Sequence, residues 1–309
     1  MMKIRTLLFL ACLVLLPVGA GAEEAPTSPP TMPEVLASSS ASDWRALDPD
    51  DTLVLDLPGG RVIMALAPEF APEHVANIKA LVAERFYDDL VIVRSQDNYV
   101  VQWGDPAEDP AERKPVKKAR TSLAPEFDRA LSDDLSVTLL PDGDAYAPQV
   151  GFAGGFPVAV NPKTGRMWLT HCYGMVGVGR DVALDSGNGG EMYVVIGHAP
   201  RHLDLNVTLV GRVVQGIEVL STLPRGTGDL GFYEDPEQFV EIGSLRLGSE
   251  IPKAEWQDLE VLRTDTATFK ALIESRRNRH ESWFASPTGR IGLCNVPLPV
   301  RAMKAVAPD

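Results

Sequence analysis

The stretch FYDDLVIVRSQDNYVVQWGDP, residues 86–106, decides how the fold is read. Within it, residues 90–94 and 99–102 are rich in β-branched and aromatic side chains and predict two short strands. The polar residues 95–98 predict the turn between them, and Gly104-Asp105-Pro106 closes the element. Upstream, residues 52–57 and 61–66 flank Pro58-Gly59-Gly60 and predict a hairpin. A helix follows, with Pro72 in its first turn and Val75, Ile78, Leu81 and Val82 on one apolar face that ends before Phe86. Downstream, strands are predicted at 174–179, 192–196, 208–213 and 242–247, and a helix at 216–223. Pro, Gly and Asp clusters break 105–170 into short apolar runs such as 137–140 and 158–160. A structureless loop that long is unusual, so an inserted hairpin is expected there. The tail carries helical patterns at 256–262 and 266–277 and a Pro-rich end at 296–300. No internal repeats occur.

The 309 residues are 45% hydrophobic and 23% charged, which is ample apolar material for a folded core. Lys3 and Arg5 precede an apolar run from Leu7 to Val18, then the small residues Ala20, Gly21 and Ala22. This is the pattern of a secretory signal peptide over 1–22, cleaved after Ala22, and it predicts a periplasmic or secreted protein. The alternative, an uncleaved anchor, meets a run shorter than the roughly 20 apolar residues that span a bilayer. Cys12 lies inside this run, and Phe9-Leu10-Ala11 before it suits lipid attachment poorly. No later segment could cross a membrane. Residues 23–48, rich in Ala, Ser, Pro and Glu, read as a disordered linker. Cleavage leaves Cys172 and Cys294, either one disulfide or two buried thiols. The net charge of −13 excludes a generic nucleic-acid or anionic-lipid binder. The basic residues Arg113, Lys114, Lys117, Lys118 and Arg120 read as a solvated loop.

Residues 86–106 resemble, without a gap, the cyclophilin signature F-Y-D-G-L-x-F-H-R-V-x-x-x-F-M-x-Q-x-G-D-P. APEHVANIKALV at 71–82 is similar to the family's first helix, and HLDLNVTLVGRVVQGIEVL at 202–220 to its last barrel strand and second helix. GMVGVGR at 174–180 and GGEMYVVIG at 189–197 resemble its G-x-x-x-M-A-R and G-S-Q-F-F-I segments. The resemblance implies a mainly β fold: a closed eight-stranded antiparallel barrel capped by two helices, in a domain at 49–250 interrupted by an insertion at about 107–170. A helical extension, 251–309, would pack on the barrel. It also implies a monomeric peptidyl-prolyl cis-trans isomerase acting on proline-containing polypeptides, whose groove runs along 91–104 and 189–203 on the outside of the barrel.

By this resemblance Arg94 is the catalytic arginine and Gln102 orients it, in the frame R-x-x-x-x-Y-x-x-Q-x-G-D-P. The substrate pocket falls to Tyr99, Val100, Glu191, Tyr193, His202 and Leu203. Several of these depart from the family. Ile92-Val93 replace F-H, Tyr99-Val100 replace F-M, Glu191-Met192-Tyr193 replace Q-F-F, His202 stands at a frequent tryptophan position, and Val207 replaces a pocket histidine. Glu191 could neutralise Arg94 or hold it rigid. Weakening the resonance of an amide needs a fixed cation and an apolar pocket, and neither metal nor cofactor is expected. Asp142, Asp144 and the residues from Asp185 to Glu191 lack a full calcium loop pattern. Three readings follow: an exported isomerase that assists folding, a proline-peptide-binding chaperone or scaffold without useful turnover, and a structural barrel serving a partner through its insertion or tail.

Overall fold

In the computed structural model, residues 29–303 apart from 108 and 110 are described. The signal peptide expected at 1–22, with Cys12, and the start of the expected linker lie outside the described residues. Nine antiparallel strands form one curled sheet in the order Val240–Glu241, Val91–Ser95, Val100–Gly104, Met192–Val195, Met175–Val178, Leu209–Gln215, Gly60–Leu66, Thr52–Leu57, Ser244–Leu247. Its two outermost strands are consecutive in the chain. Between them the Ile242 N–H donates to Leu90 O and the Gly243 N–H to Asp56 O, each at 2.9 Å. Alternation sends Leu53, Leu55, Val62, Met64, Ile92, Trp103, Met192 and Val194 to the inner face, where all eight are buried.

The helix Pro72–Ala83 buries Val75, Ile78, Leu81 and Val82, the apolar face read from its spacing. Ala71 offers this helix no capping side chain. The far-off Glu126 carboxylate caps it instead, accepting from the Glu73 and His74 backbone N–H at 3.1 and 2.9 Å and meeting His74 Nδ1 at 2.6 Å. Burial pushes the Glu126 carboxyl up, but the His74 side chain and these backbone donors outweigh it, so the group sits below the ordinary glutamate range. A depressed carboxyl stabilises fully above its unfolded value, about 4.3, and the contribution is lost as pH falls through the folded value. We expect Glu126→Gln to lower the unfolding free energy by about 1–2 kcal/mol at neutral pH. In urea titrations the gap between variant and wild type should shrink below about pH 4.

The insertion forms more than the expected hairpin. A five-stranded antiparallel sheet runs in the order Arg129–Ala130, Arg166–Leu169, Phe156–Asn161, Gln149–Ala153, Val137–Leu139. Its central hairpin turns on Gly154 and Gly155, with φ of 60° and 90°, the left-handed pair that a two-residue turn needs. This sheet has its own core, in which Phe152 meets Phe269 of the helix Ala267–Arg277 edge to face at 5.1 Å.

Two expectations are corrected at the ends of the chain. Residues 256–262 give no helix; Leu259–Leu262 is a strand between Trp44–Ala46 and Val300–Ala302, because alternation there carries Leu259 and Val261 onto Ile63 and Ala65 of the main sheet. The segment 23–48 is ordered where it is described: Met32–Ala37 is a helix boxed by Thr31 and Glu34, and Val35 and Trp44 are buried. Their partners come from the far end of the chain, including Arg301, whose guanidinium lies 3.8 Å from the Trp44 ring. Cys172 and Cys294 are joined as a disulfide. Among the described residues no helix is long and apolar enough to cross a membrane.

Candidate active site

Ile92 pairs with Trp103 and Arg94 pairs with Gln102, so Val93 is an extra residue, a bulge. In a regular strand Ile92 and Arg94 would share a face. The bulge breaks that alternation, leaving Ile92 in the core while Arg94 turns outward beside Gln102, a common use of bulges next to functional sites. The same outer face collects Val100, Tyr193 and Val195. Asp89, where the signature has glycine, takes the left-handed backbone that turn requires, with φ of 66°.

Three neutral acceptors hold the half-buried Arg94. Its Nε–H donates to Leu230 O at 2.7 Å, Nη1 to Gln102 Oε1 at 3.2 Å, and Nη2 to Gln96 Oε1. The Tyr99 and Phe232 rings lie 5.5 and 5.2 Å from its guanidinium carbon. Burial lowers the guanidinium from its ordinary range, opposed by the Tyr99 phenol. Glu191 does not pair with Arg94. Its carboxylate accepts from Gln102 Nε2 at 3.0 Å, which turns the opposite end of that amide toward Arg94. Glu191 therefore holds the arginine in place through Gln102 without cancelling its charge. Of the five N–H groups on an arginine, three are used here, leaving two for a ligand.

These groups face a cleft of about 440 Å³ that also takes in Tyr99, Val100, Tyr193, Leu203, Val207, Leu230 and Phe232. Every pocket residue expected from the sequence lines it except His202. That imidazole is exposed and lies parallel to the Tyr99 ring at 6.4 Å. Leu230 and Phe232 escaped the sequence reading, and their only signal is the glycine-punctuated run 226–232 after the short helix Ile217–Ser221. Leu230 takes a left-handed φ of 56° to aim its carbonyl at Arg94, a conformation that costs a leucine about 1–2 kcal/mol. The loop stays close because Gly231 lies on Gln96: a Cβ there would come within 2.6 Å of the Gln96 Cα.

Tyr193 walls the pocket and is tied from behind. Its ring covers Gly177, where a Cβ would meet it at 2.4 Å, and its hydroxyl meets Nε2 of the buried His171 at 2.8 Å. His171 Nδ1 faces Asp204 at 2.9 Å, and Asp204 and Asp144 both bind the buried Arg201. Burial pushes His171 below its ordinary value against the pull of Asp204. The neutral ring thus donates from Nδ1 to the carboxylate and accepts the tyrosine proton at Nε2. Tyr193→Phe, which restores the residue of the signature, should destabilise the protein by about 1–3 kcal/mol by orphaning that nitrogen. A shift of the urea midpoint to lower concentration would register it. The carboxylates that could have suggested calcium are engaged elsewhere: Asp142 with Arg277, Asp144 with Arg201, Glu191 with Gln102.

The curled β-sheet and the cleft define a mainly β protein that presents one uncompensated arginine beside an aromatic pocket. The sequence model of the family described as cyclophilin type peptidyl-prolyl cis-trans isomerase/CLD matches residues 53–246. The chain belongs to that family, the cyclophilin-type peptidyl-prolyl isomerases. It is 25% identical over 197 residues to a "probable peptidyl-prolyl cis-trans isomerase" of Brucella suis biovar 1, covering 63% of this chain and 83% of that protein. The corresponding protein of Brucella abortus strain 2308 is 24% identical over the same shares. Among solved structures, cyclophilin AquaCyp293 from Hirschia baltica is similar with a TM-score of 0.67 at 23% identity, over 89% of this chain and 98% of that one. That likeness in fold reaches well beyond 53–246, into the added elements.

Proposed function

We propose that the chain isomerises X-Pro bonds in exported proteins as they fold, working as a monomer in the periplasm or outside the cell. The isomerase unit is assigned to 49–250, with the insertion at about 107–170. We further infer that its curled sheet is a closed eight-stranded barrel, with 240–247 as one strand broken at Ile242-Gly243. The pairing of its first half with Val91–Ser95 and of its second half with Thr52–Leu57 supports closure. Closure would leave no edge for a second copy to extend. Export is supported by the N-terminal pattern at 1–22 and by the disulfide, which suits an oxidising compartment.

The observation that carries the catalytic assignment is Arg94 held by three neutral acceptors with two N–H groups left over. Rotation about an amide faces a barrier of about 18–20 kcal/mol because nitrogen shares its lone pair with the carbonyl. When the bond twists, that pair localises on the prolyl nitrogen, and a fixed cationic donor there stabilises the twisted form more than the planar one. Tyr99, Val100 and Tyr193 would seat the proline ring while Arg94 meets the nitrogen and the preceding carbonyl. The reading without turnover rested on Val93, Val100 and Glu191. Val93 is the buried bulge residue, and Glu191 supports Arg94 rather than cancelling it. The test is the cis-to-trans conversion of a proline tetrapeptide by the purified protein. A rate above the uncatalysed one that depends on Arg94 supports turnover, whereas saturable binding at the uncatalysed rate supports the chaperone reading.

A further inference from the structure

A second arginine lies under the additions to the barrel. Arg212, on the strand Leu209–Gln215, pairs with Ala65 on one side and Met175 on the other. Its side chain enters the space between the main sheet, the inserted sheet and the C-terminal extension. It is 7% exposed, and its Nε–H donates to Gly155 O at 3.0 Å. No carboxylate pairs with it among the described residues, and the one charge acting on it is another cation, Arg45. Arg201, equally buried, is held by both Asp144 and Asp204. A buried cation without a counter-charge is costly, and proteins normally pair it. Burial and Arg45 push the Arg212 guanidinium down to about 10, which leaves it charged at neutral pH.

Arg212 lines a cavity of about 250 Å³ whose walls include Phe152, Pro157, Met175, Leu293, Val296 and Leu298. The disulfide Cys172–Cys294 belongs to the same wall and holds the extension over it. An apolar cavity of about 150 Å³ takes up benzene. This one has room for an aromatic ring and one small charged group besides.

We propose that this cavity is a binding site, separate from the Arg94 cleft, for small monocarboxylates with an aromatic or short aliphatic body. The carboxylate would pair with the free end of Arg212, and the body would lie on the apolar wall. Planar guanidinium and carboxylate match as a two-point contact, and the burial of Arg212 strengthens it. Benzoate and its neutral counterpart benzyl alcohol are the probes, with binding to the purified protein followed by calorimetry and by thermal unfolding. Benzoate should bind one to one and raise the unfolding temperature, with affinity at least about tenfold above that of the alcohol. Arg212→Met should remove that preference, whereas Arg94→Ala should keep it. Equal effects of the two probes on wild type, no binding at millimolar benzoate, or loss of the preference in Arg94→Ala would each overturn the proposal. If Arg212→Met does not fold, the comparison of the two probes on wild type together with the Arg94→Ala result decides.

Discussion

Replacing Arg94 with alanine should lower the isomerisation rate constant by about 10²–10³, the loss typical when one preorganised donor to a transition-state charge is removed. Affinity for a proline peptide should change far less. The ring would still be held by Val100 and Tyr193, which do not depend on the guanidinium for their place: Tyr193 is anchored by His171 and Val100 by pairing with Val195. Folding should survive too, since Leu230 and Gln102, two of the three acceptors Arg94 leaves behind, line an open cleft where water can replace it. Arg94→Lys should recover little. A lysine cannot reproduce a planar fork that reaches Leu230, Gln96 and Gln102 at once and still offers two donors. Exchange between cis and trans peaks of a proline peptide, measured by NMR alongside its binding isotherm, separates the two effects. A variant that binds and turns over like wild type would remove Arg94 from the mechanism.

The legible part of this site is the part that depends on local spacing. The strand pair around residues 95–98 and the apolar face of Pro72–Ala83 follow from neighbours in sequence, and the structure places them where the pattern does. The pairing of Arg94 with Gln102 came from the family resemblance, because local alternation does not show the bulge at Val93 that produces it. The partner of Glu191 was not legible. A carboxylate near an arginine reads as an ion pair, and only the cross-strand pairing of Tyr193 with Gln102 puts the amide between them. Leu230 and Phe232 were hidden because they reach the cleft from a loop far along the chain, held there by backbone contacts such as Gly226 N–H to Ser95 O. His202 differs again: its ring lies parallel to that of Tyr99 at 6.4 Å but is not among the residues that line the cleft, a placement that its position in the sequence does not give. The early segment 32–46 reads as a linker because its few apolar residues match partners more than two hundred positions away, a relation that no local period records.

The same long-range closure makes the disulfide the most consequential covalent feature of the described chain. Cys172 follows the last strand of the inserted sheet, and Cys294 lies in the turn Leu293–Asn295 of the extension, 122 residues later. Cross-linking residues that far apart removes loop-closure entropy from the unfolded chain worth about 4–5 kcal/mol in the chain-entropy model, and native disulfides typically contribute about 2–5 kcal/mol. Against a total stability of about 5–15 kcal/mol this is a large share. The double variant Cys172→Ser, Cys294→Ser should therefore unfold at markedly lower urea concentration than the oxidised wild type. Wild type in excess dithiothreitol should move toward the same midpoint. Proline isomerisation under native conditions should change little, because the arginine cleft draws its residues from 94–102, 178–207 and 230–232 and none from the extension. If instead midpoint and activity were both untouched, the extension would be held by its strand pairing and by the Phe152–Phe269 contact alone. The unfolded chain would then already be compact enough that the cross-link removes little of its freedom.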